Sequence, residues 1–241
     1  KLIILIMANS IYINKLISTF DKKIKVPGDK SLSIRWVLMA SQSSGKSKAY
    51  NLLMSEDVIA AIESIKKLGI KVKKNKSCYE IYGNGINGFK YKDNIIIDAK
   101  NSGTLGRLIL GLLVGSSKKI KLIGDKSLSK RDFSRITQPL QKFGAKFYYK
   151  KKNKLPLSIL GSSSIKGIKY LENKGSAQCK SSVMLAALNA SGTTSIKAKK
   201  SRNHSELLFK YLKIPIKIKK TKKFDFIDIK QPKKIKAFNY Q

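Results

Sequence analysis

Small and hydroxyl-bearing residues stand at the start of three predicted helices, and two of these starts carry an arginine one turn further on. Arg35 follows Ser31 by four residues, and Arg107 follows Gly103 by four. The free N–H groups and partial positive charge of a helix N-terminus bind anions. Arginine binds planar anions through two hydrogen bonds at once. The spacing therefore predicts sites for phosphate or carboxylate groups.

The third start consists of Ser176, Ala177 and Gln178 and carries no arginine of its own. Two other arginines, Arg131 and Arg202, lie in polar turns that follow the second and third starts. A serine at a single helix start is an ordinary N-cap residue. Three matching starts brought together by symmetry would instead form one cationic pocket, so we expect a multiply charged anion as the ligand.

The elements that position these residues repeat along the chain. Three segments begin at Ser44, Ser116 and Ser191, 72 and 75 residues apart. Each reads as small polar residues, a short strand, a polar turn, an amphipathic helix and a second strand. An apolar helix precedes each segment, and a helix without a polar face is typical of a buried position. These helices are predicted over residues 27–43, 101–116 and 175–191, with further strands over 78–82, 94–98 and 157–160. The alternation predicts one α/β domain with pseudo-threefold symmetry.

Lysine dominates the charge of the chain. The 241 residues include 51 lysines and arginines against 14 acidic residues, for a formal net charge of +37, and 46 of the 51 are lysine. Such a balance makes nucleic acids, anionic membranes and small anions candidate partners. We interpret most of it as solvated surface in a composition rich in Lys, Ile and Asn. A nucleic-acid-binding module stays an alternative, although the lysines are spread through every segment and no RNP-like aromatic pattern is present.

The remaining reactive residue types are few. Cys78 and Cys179 lack CxxC spacing, and His204 is the only histidine. This usage predicts two reduced thiols in a cytoplasmic protein and gives no support for a metal site or a histidine-activated nucleophile. No apolar run approaches the roughly 18 residues of a membrane-spanning helix, so we expect no membrane partner.

Five motifs, in order, resemble those of the 5-enolpyruvylshikimate-3-phosphate synthase (3-phosphoshikimate 1-carboxyvinyltransferase) family. Residues 26–35 resemble the PGSKSxSxR signature, and residues 101–107 resemble NAGTxxR. Residues 124–131 are similar to the GDxSLxxRP segment. Residues 176–181 and 201–204 are similar to SAQxKSA and to the start of SRDHTE. Each motif is weak alone, and the five together are specific.

The resemblance implies a fold and a reaction. The fold is α/β, one lobe built of three βαβαββ units with buried helices and outer mixed sheets. The reaction transfers the enolpyruvyl group of phosphoenolpyruvate to the 5-hydroxyl of shikimate 3-phosphate and releases phosphate, on the route to chorismate and aromatic amino acids. The resemblance further implies no cofactor, no metal and no specific nucleic acid. It also implies a cytoplasmic enzyme that is a monomer when complete.

Carried over position by position, the resemblance also implies site residues. It assigns shikimate 3-phosphate to Lys30, Ser31, Arg35, Ser176, Ala177, Gln178, Ser201 and Arg202. It assigns phosphoenolpyruvate to Lys30, Gly103, Arg131 and Gln178, with Asn101, Thr104 and Arg107 in support. Asp132 stands where the family has Pro, and Asn203 where it has Asp, which puts the local turn geometry in question. The family's catalytic acid and base are expected beyond Gln241 and are not assigned.

Family members are nearly twice as long as this chain, so we expect a truncated gene product that is inactive alone, with Met7 as its true start. A natural half-enzyme that pairs with a separate chain is the alternative. The expected organisation is an N-terminal extension and strand at 1–22, belonging with the other lobe, and a substrate-binding lobe at 23–241 with units at about 23–92, 93–165 and 166–230. The related UDP-N-acetylglucosamine enolpyruvyl transferases are a second alternative. They have Lys-Asn in place of Lys30 and Ser31 and lack the Ser-Ala-Gln run.

Overall fold

Three four-stranded sheets of one common pattern surround the buried helices. The computed structural model describes residues 19, 21–24, 26–76 and 78–240, in which twelve strands occur. The expected strand within 1–22 and the expected start at Met7 lie outside the described residues, apart from positions 19, 21 and 22.

The helices are α1 (Lys30–Gln42), α2 (Glu56–Lys67), α3 (Gly103–Leu112), α4 (Lys126–Ser129), α5 (Ser134–Gln141), α6 (Ala177–Ala187) and α7 (His204–Tyr211), with a 3₁₀ turn at Leu113–Gly115. The strands are β1 (Ser44–Ala49), β2 (Lys71–Lys74), β3 (Tyr79–Asn84), β4 (Ile95–Asp98), β5 (Ile120–Ile123), β6 (Lys146–Tyr149), β7 (Leu157–Leu160), β8 (Lys169–Glu172), β9 (Thr193–Lys199), β10 (Ile216–Lys220), β11 (Phe224–Lys230) and β12 (Asn239–Tyr240).

Each sheet has the same order of strands. An edge strand runs parallel to a central strand, which pairs antiparallel with a third strand, and the fourth strand completes the sheet. The three orders are β12-β1-β3-β2, β4-β5-β7-β6 and β8-β9-β11-β10. In the second and third sheets a buried helix follows the edge strand. This is the βαβαββ order implied by the family resemblance, and the predicted α/β fold class is confirmed.

The first sheet takes its parallel edge strand from the far end of the chain. Lys48 pairs with Asn239 and Ala49 with Tyr240, and an isolated bridge joins Ser44 to Lys236. The three units therefore close on one another in a ring. The exact unit bounds stay a prediction.

The helices α1, α3 and α6 are the buried helices predicted from their apolar sequences, and nearly all of their residues are buried. Their side chains belong to one continuous hydrophobic core. The helices α3 and α6 approach closely where a Cβ on Gly111 would lie 2.2 Å from the carbonyl oxygen of Ser182. The Ser182 hydroxyl also donates to the carbonyl oxygen of Arg107 at 2.9 Å. A glycine is therefore required at this crossing.

We expect Gly111→Ala to destabilise the fold by about 1–3 kcal/mol, because the added methyl overpacks the core and forces α3 away from α6. Gly106→Ala on the same helix is the matched control. Its Cβ would lie at ordinary contact distances, 3.5 Å from Ala99 Cβ and 3.6 Å from Phe133 Cζ. It should be neutral or stabilising by up to about 1 kcal/mol through helix propensity. The measurement is the free energy of unfolding in urea, and equal midpoints for the two variants would contradict the close approach.

Candidate functional site

A cavity of about 280 Å³ opens where the starts of α1, α6 and α7 meet. It is lined by Ser31, Arg35, Gly175, Ser176, Ala177, Gln178, Ser201, Arg202 and His204. Seven of the eight residues assigned to shikimate 3-phosphate by the resemblance lie in this lining. Gly175 and His204 were not singled out as site residues from the sequence, although Gly175 directly precedes the fourth motif and His204 is the last residue of the fifth.

The three buried helices leave backbone donors free at their starts. Each is capped by a side-chain oxygen that accepts from the N–H three residues on. These caps are Asp29, Ser102 and Ser176, at distances of 2.7, 3.2 and 3.3 Å. The N–H groups of the next two residues have no hydrogen-bond partner among the described residues. These N–H groups belong to Lys30 and Ser31, Gly103 and Thr104, and Ala177 and Gln178. They are the residues whose small or polar types marked the helix starts in the sequence, and they can bind an anion.

Arg35 joins three helices at the floor of the cavity. Its Nε donates to Ser205 Oγ at 2.9 Å, its Nη2 to Ser181 Oγ at 3.1 Å and its Nη1 to the Ser31 carbonyl oxygen at 3.1 Å. Burial lowers the pKa of the Arg35 guanidinium, an effect opposed by the nearby carboxylate of Glu206. With three of its N–H groups held, the guanidinium is fixed in place and can offer its remaining donors to a ligand.

A second group of polar residues joins the starts of α3 and α6. Arg107 Nη1 donates to Gln178 Oε1 at 2.7 Å and to the Gly103 carbonyl oxygen at 3.3 Å. Gln178 Nε2 donates to Thr104 Oγ1 at 3.0 Å. Gln178 therefore belongs to both the cavity and this group.

Two guanidinium groups converge on Gly103. A Cβ at this position would lie 2.7 Å from Arg107 Nη1 and 2.9 Å from Arg131 Nη1. Burial lowers the pKa of Arg107, and the positive charge of Arg131 lowers it further. Two cations this close favour an anion between or beside them.

Asn101, the remaining supporting residue, and Lys30 lie outside the cavity lining. Asn101 Nδ2 donates to Asp125 Oδ2 at 2.6 Å, and Asp125 Oδ1 caps α4, which leads to Arg131. Lys30, assigned by the resemblance to both substrates, does not line the cavity. Its Nζ lies 3.4 Å from Asp57 Oδ2, and its side chain is half exposed.

The two departures from the family motifs have different local outcomes. Asp132 Oδ1 accepts from the N–H of Ser134 at 2.6 Å, at the start of α5. Hydrogen bonding from Ser134, first from its side chain and then from its backbone, holds the pKa of the Asp132 carboxyl below its ordinary value. Asn203 precedes α7 without a side-chain cap. His204 begins α7, and burial, followed by the charge of Arg35, lowers the pKa of its imidazole.

A buried ion pair lies beside this network and was missed in the sequence. Lys180 Nζ on α6 is 2.5 Å from Glu206 Oε1 on α7, and both side chains are at most 3% exposed. Neither charged group makes a hydrogen bond to another described residue. The pair ties together the two helices whose starts carry Gln178 and His204.

The described residues contain no group of three or more His, Cys, Asp and Glu side chains placed to hold a metal ion. Within the same part of the chain, no helix has both the length and the apolar character needed to cross a membrane.

Comparisons with known proteins identify the relatives of the chain. Residues 15–240 match a family model described as EPSP synthase (3-phosphoshikimate 1-carboxyvinyltransferase). The 3-phosphoshikimate 1-carboxyvinyltransferase of Streptococcus mutans is 39% identical over 189 residues, which cover 78% of this chain and 44% of the relative. That of Bacillus subtilis is 38% identical over 192 residues, covering 79% and 44%.

Solved structures of the same family also resemble this chain. An EPSP synthase from Acinetobacter baumannii superposes with a TM-score of 0.82 at 31% identity, covering 90% of this chain and 48% of that one. The chain therefore spans under half the length of the curated relatives it matches. The resemblance drawn from the five motifs is confirmed.

The buried ion pair yields a stability prediction. Glu206→Gln leaves the Lys180 ammonium buried without its counter-charge and should lower the free energy of unfolding by about 3–5 kcal/mol. Replacing both residues by Met should restore stability to within about 2 kcal/mol of the original, because apolar pairs of similar volume replace buried ion pairs well.

Glu63→Gln is the control, since Glu63 pairs with Lys66 at the surface. Its loss should cost no more than about 0.5 kcal/mol. Urea unfolding at neutral pH measures all three variants. An equal loss in Glu206→Gln and Glu63→Gln would contradict the buried pair.

Proposed function

Because the chain belongs to the EPSP synthase family, we propose that it binds shikimate 3-phosphate and phosphoenolpyruvate and forms a substrate-binding lobe for enolpyruvyl transfer to the 5-hydroxyl. The observation that carries the proposal is the cavity at the helix starts, where Ser31, Arg35 and the 176–178 segment meet Ser201 and Arg202. Residues from three separate motifs thus surround one space.

In the proposed complex, the cavity holds shikimate 3-phosphate. The free N–H groups of Ala177 and Gln178, the hydroxyls of Ser31 and Ser201, and the guanidinium of Arg202 supply donors to its phosphate and hydroxyl groups. Arg35 adds positive charge from beneath. Hydrogen-bond donors that are already fixed need little reorganisation when the ligand binds. They therefore stabilise the anion better than water molecules, which must reorient around it.

In the proposed complex, phosphoenolpyruvate binds beside the cavity at the start of α3, where Arg107 and Arg131 converge on Gly103. Gln178 contacts both groups of residues and orders the two ligands side by side. Holding two anions at a fixed distance removes much of the entropic barrier to their reaction. When the C–O bond of the enolpyruvyl group to phosphate breaks, the departing phosphate gains charge beside these cations, which favours its release. No described residue is assigned as the acid or base.

We also propose that the lobe has the domain organisation expected from the sequence. Residues 23–241 form one lobe of three units, at about 23–92, 93–165 and 166–230, and the first unit borrows β12 from the end of the chain. Both groups of ligand-binding residues come from a single chain, so a monomer suffices for binding. The thiols of Cys78 and Cys179 are free and buried, which fits the reducing cytoplasm.

Isothermal titration with shikimate 3-phosphate at physiological salt tests the first site. We expect saturable binding, weaker binding of inorganic phosphate, and no binding of shikimate or of UDP-N-acetylglucosamine. Arg202→Gln should weaken binding by about tenfold or more, the value of a charged hydrogen bond. Lys200→Gln, two residues away on the exposed surface and outside the cavity lining, should change it by less than about twofold.

Saturable binding of the sugar nucleotide alone would overturn the substrate assignment. Equal losses in Arg202→Gln and Lys200→Gln would show that only the overall positive charge attracts the ligand, as it attracts any polyanion.

Gly103→Ala tests the second site. Its methyl would displace the guanidinium tips of Arg107 and Arg131, because the added Cβ atom would lie 2.7 and 2.9 Å from them. We expect phosphoenolpyruvate to bind about tenfold more weakly in the presence of saturating shikimate 3-phosphate. The affinity for shikimate 3-phosphate itself should stay within about twofold. Gly106→Ala, one turn further along α3, is the control, and a loss confined to shikimate 3-phosphate would refute the assignment of Gly103.

A further inference from the structure

Glu172 is a buried carboxylate that the proposed ligand contacts do not use. It is the last residue of β8 and is 3% exposed. Its Oε2 accepts from the N–H of Ser176 at 3.0 Å, and its Oε1 accepts from the N–H of Lys174 at 3.2 Å. Gly175, between these two donors, has a φ of +70°, in the left-handed region that glycine adopts without strain. One side chain thus holds the backbone of the loop that leads into α6.

Burial of the Glu172 carboxylate is electrostatically unfavourable unless hydrogen bonds or a positive charge offset it. A carboxylate loses hydration when it is buried. This carboxylate also lies directly behind a helix start whose neighbouring N–H groups face an anion site, and like charges repel. The two backbone hydrogen bonds offset part of this cost, and they also fix the shape of the loop.

The counter-charge comes from a different unit of the fold. Arg135 Nη2 on α5 lies 3.4 Å from Glu172 Oε1, and the Arg135 side chain is 51% exposed. Arg135 is the one arginine of the chain that falls outside the helix starts and polar turns first singled out. It follows Arg131 by four residues, so the pair connects the segment carrying Arg131 to the start of α6.

We propose that Glu172 and Arg135 are positioning residues that hold the 174–176 loop so that the N–H groups of Ala177 and Gln178 stay open to the ligand. Ser176 gives its own N–H to Glu172, and its hydroxyl caps α6. The carboxylate therefore fixes the turn, and the next two N–H groups are left free at the cavity. The identity of the ligand rests on the function proposed above, while the control of the loop does not.

A purely electrostatic role and a positioning role for Glu172 predict opposite effects of Glu172→Gln on anion binding. If the carboxylate acted on the ligand only by its charge, Glu172→Gln would strengthen anion binding, because a nearby negative charge is removed. If it positions the loop, Glu172→Gln weakens anion binding, because an amide has a single acceptor oxygen and its NH₂ group faces a backbone donor. Arg135→Gln tests the same loop from an exposed position, where the substitution leaves the core untouched.

The experiment combines hydrogen exchange with calorimetry. Exchange of the backbone amides in residues 173–179 is followed by mass spectrometry in the unmodified chain, Arg135→Gln, Glu172→Gln and the double variant. Lys142→Gln is the control, since it removes one positive charge from the exposed end of α5. Each protein is then titrated with shikimate 3-phosphate and, separately, with inorganic phosphate.

We expect faster exchange in this segment for Arg135→Gln and Glu172→Gln, with the interior of α6 unchanged. Binding of shikimate 3-phosphate should weaken by about tenfold in Glu172→Gln. The double variant should be no worse than Glu172→Gln alone, because coupled residues are not additive. Lys142→Gln should match the unmodified chain in both measurements.

Unchanged exchange in Arg135→Gln and Glu172→Gln would overturn the proposal, as would tighter anion binding in Glu172→Gln. If the unmodified chain binds neither ligand, the proposed function fails, and the exchange data still decide whether the pair holds the loop.

Discussion

The N-termini of three buried helices meet at one end of this molecule, and the rest of the site follows from that constraint. Each helix leaves two N–H groups without a partner among the described residues, and the starts are joined by the contacts of Arg35, Arg107 and Gln178. Aligned helix dipoles repel one another at their positive ends. The close packing of α3 on α6 at Gly111 holds them together despite this repulsion, and an anion in the cavity would relieve it.

The two kinds of cation in the chain have separate places. Four of the five arginines lie at the starts of the buried helices or in the polar turns that follow them, and the fifth, Arg135, lies on α5. Lysines instead cover the outer sheets, where Lys119 Nζ lies 4.4 Å from the centre of the Tyr148 ring and Lys197 Nζ lies 4.8 Å from that of Phe224. The edge strands β2 and β10 are also rich in lysine, which discourages edge-to-edge association. The large net charge is therefore largely a property of the outer surface, as expected from its even spread along the sequence.

The sequence predicted those features that depend on local pattern. The buried helices and most strands follow from hydrophobic periodicity, and the helix starts follow from residue types that tolerate a close ligand and cap the backbone. Features that join distant units were not predictable in this way. Lys180 and Glu206 read as ordinary polar residues of two helices, and only the packing of α6 on α7 makes them a buried pair. Glu172 and Arg135 lie 37 positions apart, and Lys30 turns to Asp57 because α2 begins beside it. Each depends on tertiary contacts that no local pattern specifies.

The edge strand β12 has a consequence for how the chain is made. Lys48 N donates to the Asn239 side chain across 191 positions, beside the backbone pairing of the first sheet with β12. Closing so long a loop is entropically costly and slow. During vectorial synthesis on the ribosome, β1 emerges early and has no parallel neighbour until residues 239–240 leave the exit tunnel. Of the three sheets in the described residues, the one translated first is therefore completed last, and until then β1 presents an open edge that a chaperone or a second nascent chain can occupy.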